Sequence, residues 1–98
     1  MAGDAIEVAP HAYKVMFENE RVRVLENHSK PGETTETHAH PAVVGVAVTG
    51  GKFRFTTEDG QPVEAELKPG EVLYMEAVEH ATENIGEDEA HVVIVELK

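Results

Sequence analysis

The segment Gly32-Glu33-Thr34-Thr35-Glu36-Thr37-His38-Ala39-His40 places two histidines two residues apart. In a β-strand, residues at that spacing point to the same side. Both imidazoles then face one interior, about 6 to 7 Å apart at roughly 3.3 Å per residue. A metal that takes imidazole nitrogens at about 2.0 to 2.1 Å can bridge side chains so placed. Pro41 follows, then the apolar run Val43 to Val48. A third histidine, His80, opens the phrase His80-Ala81-Thr82-Glu83-Asn84. A His-x-His pair alone is a weak metal signal. A solvated strand or loop, or one ring in and one out, gives the same letters.

Outward from that segment the chain reads as short strands. Tyr13, Val15 and Phe17 form an apolar phase, and Arg21 to Glu26 alternates charged with apolar side chains. Alternation of that kind marks a strand with one wet face, so Tyr13 to Leu25 reads as a hairpin. Lys52 to Thr56 alternates again, as do Val63, Ala65 and Leu67. Glu71 to Met75 is a further short strand, Glu76 to Glu79 a loop leading to His80, and His91 to Leu97 a closing β-branched strand. Pro31-Gly32, Gly50-Gly51, Glu58-Asp59-Gly60-Gln61 and Pro69-Gly70 punctuate these segments as turns. Residues 1–12 read as an N-terminal tail with a short strand near Ile6-Glu7-Val8, and residues 13–98 as a single domain. Nothing keeps helical period for more than a turn or two. Nine or ten short strands with regular turns predict an all-β fold. Closure into a barrel is the expected answer to so many strand edges.

The chain has 98 residues and no cysteine, which excludes disulfides and thiolate ligands. Nineteen acidic residues against 8 basic ones give a formal charge of -11. Such a surface repels nucleic acid and anionic lipid, so neither is an expected partner. The first ten residues lack a secretory apolar stretch and no segment reaches the length of a membrane span. A cytoplasmic setting is the expectation. No phosphate-binding glycine loop or serine-histidine-aspartate spacing stands out. His11, His28 and His91 read as surface or half-buried residues.

Together, Gly32, His38-Ala39-His40, Gly50-Gly51, Leu67-Lys68-Pro69-Gly70-Glu71-Val72 and His80-Ala81-Thr82-Glu83-Asn84 resemble the two motifs of the cupin family. The likeness covers about Val22 to Leu97. It implies a cupin-type β-barrel, that is, a double-stranded β-helix or jelly roll. It implies His38, His40 and His80 as metal ligands, with His80 coming from the opposing sheet. A 98-residue chain without cysteines gains from an added interface, so a homodimer is expected, and the resemblance implies the Tyr13 to Leu25 hairpin as its contact. The chain departs from the pattern at two places. Met75 and Ala77 stand where the second motif has proline and glycine, and the ligating glutamate should fall at Val44 or Gly45. Three-histidine members of the family include thiol dioxygenases and a diketone-cleaving dioxygenase, while other members have lost metal.

Three neutral imidazoles leave the charge of a divalent ion uncompensated and leave positions open for a chelating substrate. The resemblance and that chemistry together point to a metal-dependent small cupin. The favoured version is a non-haem Fe(II) dioxygenase acting on a small dicarbonyl, thiol or carboxylate metabolite. Zn, Ni or Mn suit the same ligands. A ligand-binding or sensory module without turnover, and a structural cupin without metal, are the alternatives. Glu36, in strand parity with His38 and His40, and Glu79, beside His80, are candidates to replace the missing carboxylate. Val44, Val46, Phe53, Phe55, Tyr74, Met75 and Ile94 are candidate cavity walls, and Asn84 is a candidate neighbour of the site.

Overall fold

The computed structural model describes residues 2–57 and 59–98. Glu58, the first residue of the predicted Glu58 to Gln61 turn, lies outside them. Among the described residues the order is α1 (Ala5–Val8), β1 (Tyr13–Glu18), β2 (Val22–Ser29), β3 (Thr34–His40), β4 (Val43–Ala47), β5 (Gly51–Thr57), β6 (Pro62–Leu67), β7 (Val72–Met75), β8 (Val78–Asn84) and β9 (Ala90–Leu97). The all-β reading holds. The predicted Tyr13 to Leu25 hairpin is the antiparallel pair β1–β2, with a bulge between Val15 and Phe17. The three turn glycines Gly32, Gly60 and Gly70 adopt φ of 81°, 79° and 82°, a region closed to most side chains.

The expected barrel does not form. The strands make two separate sheets, a five-stranded one in the order β1-β2-β9-β4-β7 and a four-stranded one in the order β3-β8-β5-β6. Neither closes on itself. The chain steps from one sheet to the other six times, at β2–β3, β3–β4, β4–β5, β6–β7, β7–β8 and β8–β9, so consecutive strands mostly face each other instead of pairing. The inner faces meet through side chains, and the two sheets have four edge strands, β1, β7, β3 and β6. These edges are managed separately. On edge strand β6, Pro62 opens the strand and Glu64 and Glu66 charge it. Edge strand β3 is covered by the N-terminal segment, where Ala39 N–H donates to Gly3 O at 2.8 Å.

That segment holds no strand at Ile6 to Val8. It makes a helical turn instead, capped by Asp4, whose side chain accepts from Ile6 N–H at 3.1 Å. Asp4 stops the chain extending further because its carboxylate satisfies a free amide of the first turn. Ala5 and Ala9 are fully buried there, against Ala12, Tyr13 and Leu25. A second apolar cluster, built on Phe53, Leu67, Ala90 and Val92, fills the other end of the interior. The polar site lies between them.

Candidate metal centre

β3 ends His38-Ala39-His40, and both rings are buried, at 0% and 4% exposure. His80 on β8 pairs directly opposite His38 in the β3–β8 ladder. The three histidines therefore rise from one sheet, not from two as expected. Direct cross-strand pairing brings side chains closer than packing between sheets does, since facing sheets stand about 10 Å apart. Ring centroids are separated by 4.9 Å (His38–His40), 5.0 Å (His38–His80) and 5.3 Å (His40–His80). One ring nitrogen from each lies within 4.8 Å of the others.

Two of the outward nitrogens are spoken for. His38 Nδ1 donates to Glu36 O at 2.8 Å. His40 Nδ1 donates to Glu96 Oε2 at 2.8 Å. Those bonds leave the Nε2 atoms for the interior. His38 Nε2 accepts from the Tyr13 hydroxyl at 3.1 Å. Among the described residues, His80 Nε2 is the buried side-chain atom left with no partner. Phe55 stacks on the His80 ring, centroids 5.3 Å apart and 14° from parallel, and fixes its plane.

Neutral rings at His38 and His80 are what this arrangement favours. Burial first, then the two neighbouring imidazoles, push His80 from 6.5 down to about 3. Burial also holds His38 below its ordinary value. Burial first, and the nearby Glu96 charge second, raise Tyr13, so its phenol stays a donor. An acid weakness follows. The unfolded chain protonates His80 near 6.5 and the folded chain only near 3, so the unfolded state binds more protons across that window. Stability is complete above 6.5 and falls as pH drops, by about 1.4 kcal/mol per pH unit for each ring so held. Thermal unfolding of the metal-free protein between about pH 7.5 and 4.5 should show a steadily falling Tm. A flat profile would contradict it.

The carboxylate that touches this cluster is Glu96, which the sequence reading did not single out. It sits on β9 in the facing sheet and is 2% exposed. Besides His40, it takes a bond from Arg23 Nε to its Oε1 at 2.7 Å. Arg23 in turn pairs with Asp4. The chain His40–Glu96–Arg23–Asp4 thus ties the cluster to the N-terminal cap. A carboxylate behind a ring N–H orients that ring and raises its basicity toward a cation.

The two carboxylates named from sequence do not enter. A register shift between Thr35 and His38 breaks the strand parity, so Thr35 is buried and Glu36 is exposed. Glu79 neighbours His80 with opposite parity and accepts from Ala2 N–H. At the missing-glutamate positions, Val44 is only half-buried and pairs with exposed Tyr74, while Gly45 lines the interior. A Cβ at Gly45 would meet Leu73 at 3.5 Å, an ordinary contact.

A cavity of about 60 Å³ lies between the sheets beside His40 and His80. Phe53, Phe55, Met75 and Ile94 wall it as expected. Val44, Val46 and Tyr74 do not, because Val43, Gly45 and Ala47 take the inward positions of β4. Asn84 lines the cavity, but its amide is used structurally. It donates to Ser29 O at 3.0 Å and Asp88 O at 3.1 Å, and accepts from Gly86 N–H at 2.9 Å.

Comparison with known proteins bears on the fold. The sequence profile of the family described as the cupin domain matches residues 25–96. A cupin domain from Bordetella pertussis Tohama I is similar in structure, with TM-score 0.80 and 34% identity over 88% of this chain and 91% of that one. An RmlC-like cupin family protein from Methanocaldococcus jannaschii, with a double-stranded β-helix fold, has TM-score 0.69 and 21% identity over 87% and 77%. A cupin superfamily protein from Desulfitobacterium hafniense DCB-2 has TM-score 0.64 and 17% identity over 87% and 74%. No curated protein matches the chain.

Proposed function

Because the chain belongs to the cupin family, we propose that it is a metal-dependent cupin in which His38, His40 and His80 hold one divalent ion beside a cavity for a small substrate. The observation that carries this reading is the buried, unpartnered Nε2 of His80, set in a group of ring nitrogens within 4.8 Å. A polar atom left so costs about 1 to 3 kcal/mol. A cation is the partner that three converging lone pairs can share.

Such an ion supplies Lewis-acid polarisation of a substrate oxygen and, as iron, a means of activating dioxygen. Zinc, nickel and manganese fit the same nitrogens. We favour Fe(II) because Glu96 reaches only the far nitrogen of His40, so no carboxylate competes with a chelating substrate. The remaining features describe what the chain does around that centre. The cavity of about 60 Å³ holds the volume of a few waters, at roughly 10 to 15 Å³ each, which suits a dicarbonyl, thiol or carboxylate of few atoms. Phe53, Phe55, Met75 and Ile94 take its carbon part and exclude water. Tyr13, whose hydroxyl loses its acceptor once His38 Nε2 is occupied, presents a proton donor to a substrate oxygen.

The test is anaerobic loading with Fe(II), then titration of small dicarbonyls, thiols and carboxylates, watching charge-transfer absorption and oxygen consumption. The proposal expects one class to give both. Silence from iron beside turnover with zinc, nickel or manganese would remove the oxygenase version and keep the metal-dependent one.

We also propose a homodimer through the β1–β2 hairpin. Met16 and Phe17 on edge strand β1 are each 54% exposed. The register continues Phe17 through Val24, Val95 and Val44 to Tyr74 on the outer sheet face. Contiguous outer apolar surface of this kind marks an interaction site. Sedimentation should show twice the 10.7 kDa chain mass, and Phe17→Asp should shift it to the monomer. Only monomer in the wild type would rule the dimer out.

A further inference from the structure

The outer face of β2 and β9 carries a second group of ligating side chains. His28 on β2 stands directly opposite His91 on β9. Their rings stack with centroids 4.1 Å apart and 18° from parallel. Glu26, two residues before His28, shares its face of the strand. One oxygen of the Glu26 carboxylate lies 3.2 Å from His28 Nε2, and the other lies 3.0 Å from His91 Nε2. One ligand atom from each of the three falls within 4.8 Å of the rest. Glu89 adds a carboxylate oxygen 3.5 Å from His28 Nδ1, on the far side of that ring.

We infer that Glu26, His28 and His91 form a second divalent-cation site, separate from the inner histidine cluster. Ligands held at about 2.05 Å stand about 2.9 Å apart at right angles and about 3.3 Å apart at tetrahedral angles. The nitrogen-to-oxygen separations of 3.0 and 3.2 Å, each to a different oxygen of Glu26, fall between those edges, and because the two rings stack nearly parallel a cation requires them to turn about their side-chain bonds while the strands stay in place. Glu89 lies 3.5 Å from His28 Nδ1, the ring nitrogen that the cation does not use, farther than the 2.8 Å bond by which Glu96 holds His40. Two imidazoles and one carboxylate select zinc, nickel or copper over magnesium or calcium. The formal charge of -11 raises the local concentration of any cation.

The inner histidines rise from β3 and β8 of the facing sheet, while the outer group sits on the far face of β2 and β9. Leu25, Asn27 and Ser29 point inward from β2, and Ala90 and Val92 point inward from β9. Glu26, His28 and His91 occupy the alternate positions. A cation there joins β2 to β9 from outside, at a place where the inner cluster has no contact. The inference does not depend on the inner site binding metal.

Zinc titration of the metal-free full-length chain by calorimetry, with histidine NMR signals followed in parallel, separates the cases. The wild type should bind two zinc ions per chain and shift the His28 and His91 signals. His91→Ala should weaken the outer site by more than about 100-fold, since it removes a ligand rather than a supporting group. His28→Ala, at a more exposed ring, should do the same and guards against a folding effect of the first variant. In His80→Ala the His28 and His91 shifts should persist unchanged. Failure of the inner site alone would leave the outer stoichiometry intact and still sensitive to His91→Ala. His28 and His91 signals that zinc does not move in the wild type, meaning a hydrogen-bonded cluster only, would overturn the inference.

Discussion

Glu96→Ala is expected to cost about 3 kcal/mol of stability and to weaken metal binding at the inner cluster by 10- to 100-fold. The carboxylate is buried and takes bonds from both His40 and Arg23. Removing it leaves a partly buried guanidinium with Asp4 as its remaining carboxylate partner, and leaves His40 Nδ1–H with no acceptor. Breaking a buried ion pair costs about 3 to 5 kcal/mol, and the surviving Asp4 contact puts this case at the low end. At about 4 to 8 °C per kcal/mol for a chain of this size, Tm should fall by about 12 to 24 °C. The loss of metal affinity has a separate cause, because His40 would no longer be held by a carboxylate behind its Nδ1. Glu96→Gln separates the two effects. It keeps an oxygen for His40 and most of the packing, so it should recover much of the stability while binding metal more weakly than wild type. Thermal melts and competitive metal titration of both variants read the outcome. A Glu96→Ala protein as stable as wild type would mean that the buried pair is not holding the N-terminal cap to the sheet.

His80→Ala should have the larger effect on binding and the smaller one on stability. It removes a ligand outright, so affinity at the inner cluster should drop by more than about 100-fold, beyond what supporting groups supply. The metal-free chain should tolerate the change. The variant opens a small cavity beside Phe55, but it also removes a buried nitrogen that has no partner. The second term returns about 1 to 3 kcal/mol and offsets the first. It should also flatten the acid profile. The ring pushed down to about 3 by burial contributes to the loss of stability below 6.5. A variant that binds metal as tightly as wild type would remove His80 from the site. A variant with an unchanged acid profile would remove it as the source of acid sensitivity.

The sequence was informative where local rules act alone. Gly32, Gly60 and Gly70 announced their turns because the chain needs positive φ there. His38 and His40 announced a shared face because two-residue periodicity survives between them. Parity failed one step earlier. The shift between Thr35 and His38 turned Glu36 outward, and no residue type in that stretch signals a bulge. Val44 and Val46 misled for a different reason. The outer face of β4 is as apolar as the inner one, so hydrophobicity cannot choose between them. Glu96 had a usable signal. It falls in phase with Ala90 and Val92, which face inward, so it is a charged residue on an apolar face. Among 19 acids it was easy to pass over. The closure of the sheets and the meeting of His28 with His91 depend on which strands pair, and one sequence does not carry that register.

Convergence of three imidazoles on one ion through their Nε2 atoms is open to direct measurement. Nitrogen-resolved NMR of the protein labelled with ¹⁵N-histidine, recorded before and after zinc is added to the metal-free chain, addresses it atom by atom. Nε2 of His38, His40 and His80 should all shift on binding, while His38 and His40 keep their Nδ1–H protons on Glu36 and Glu96. An unmoved Nε2 on His80, with zinc bound elsewhere in the chain, would contradict it.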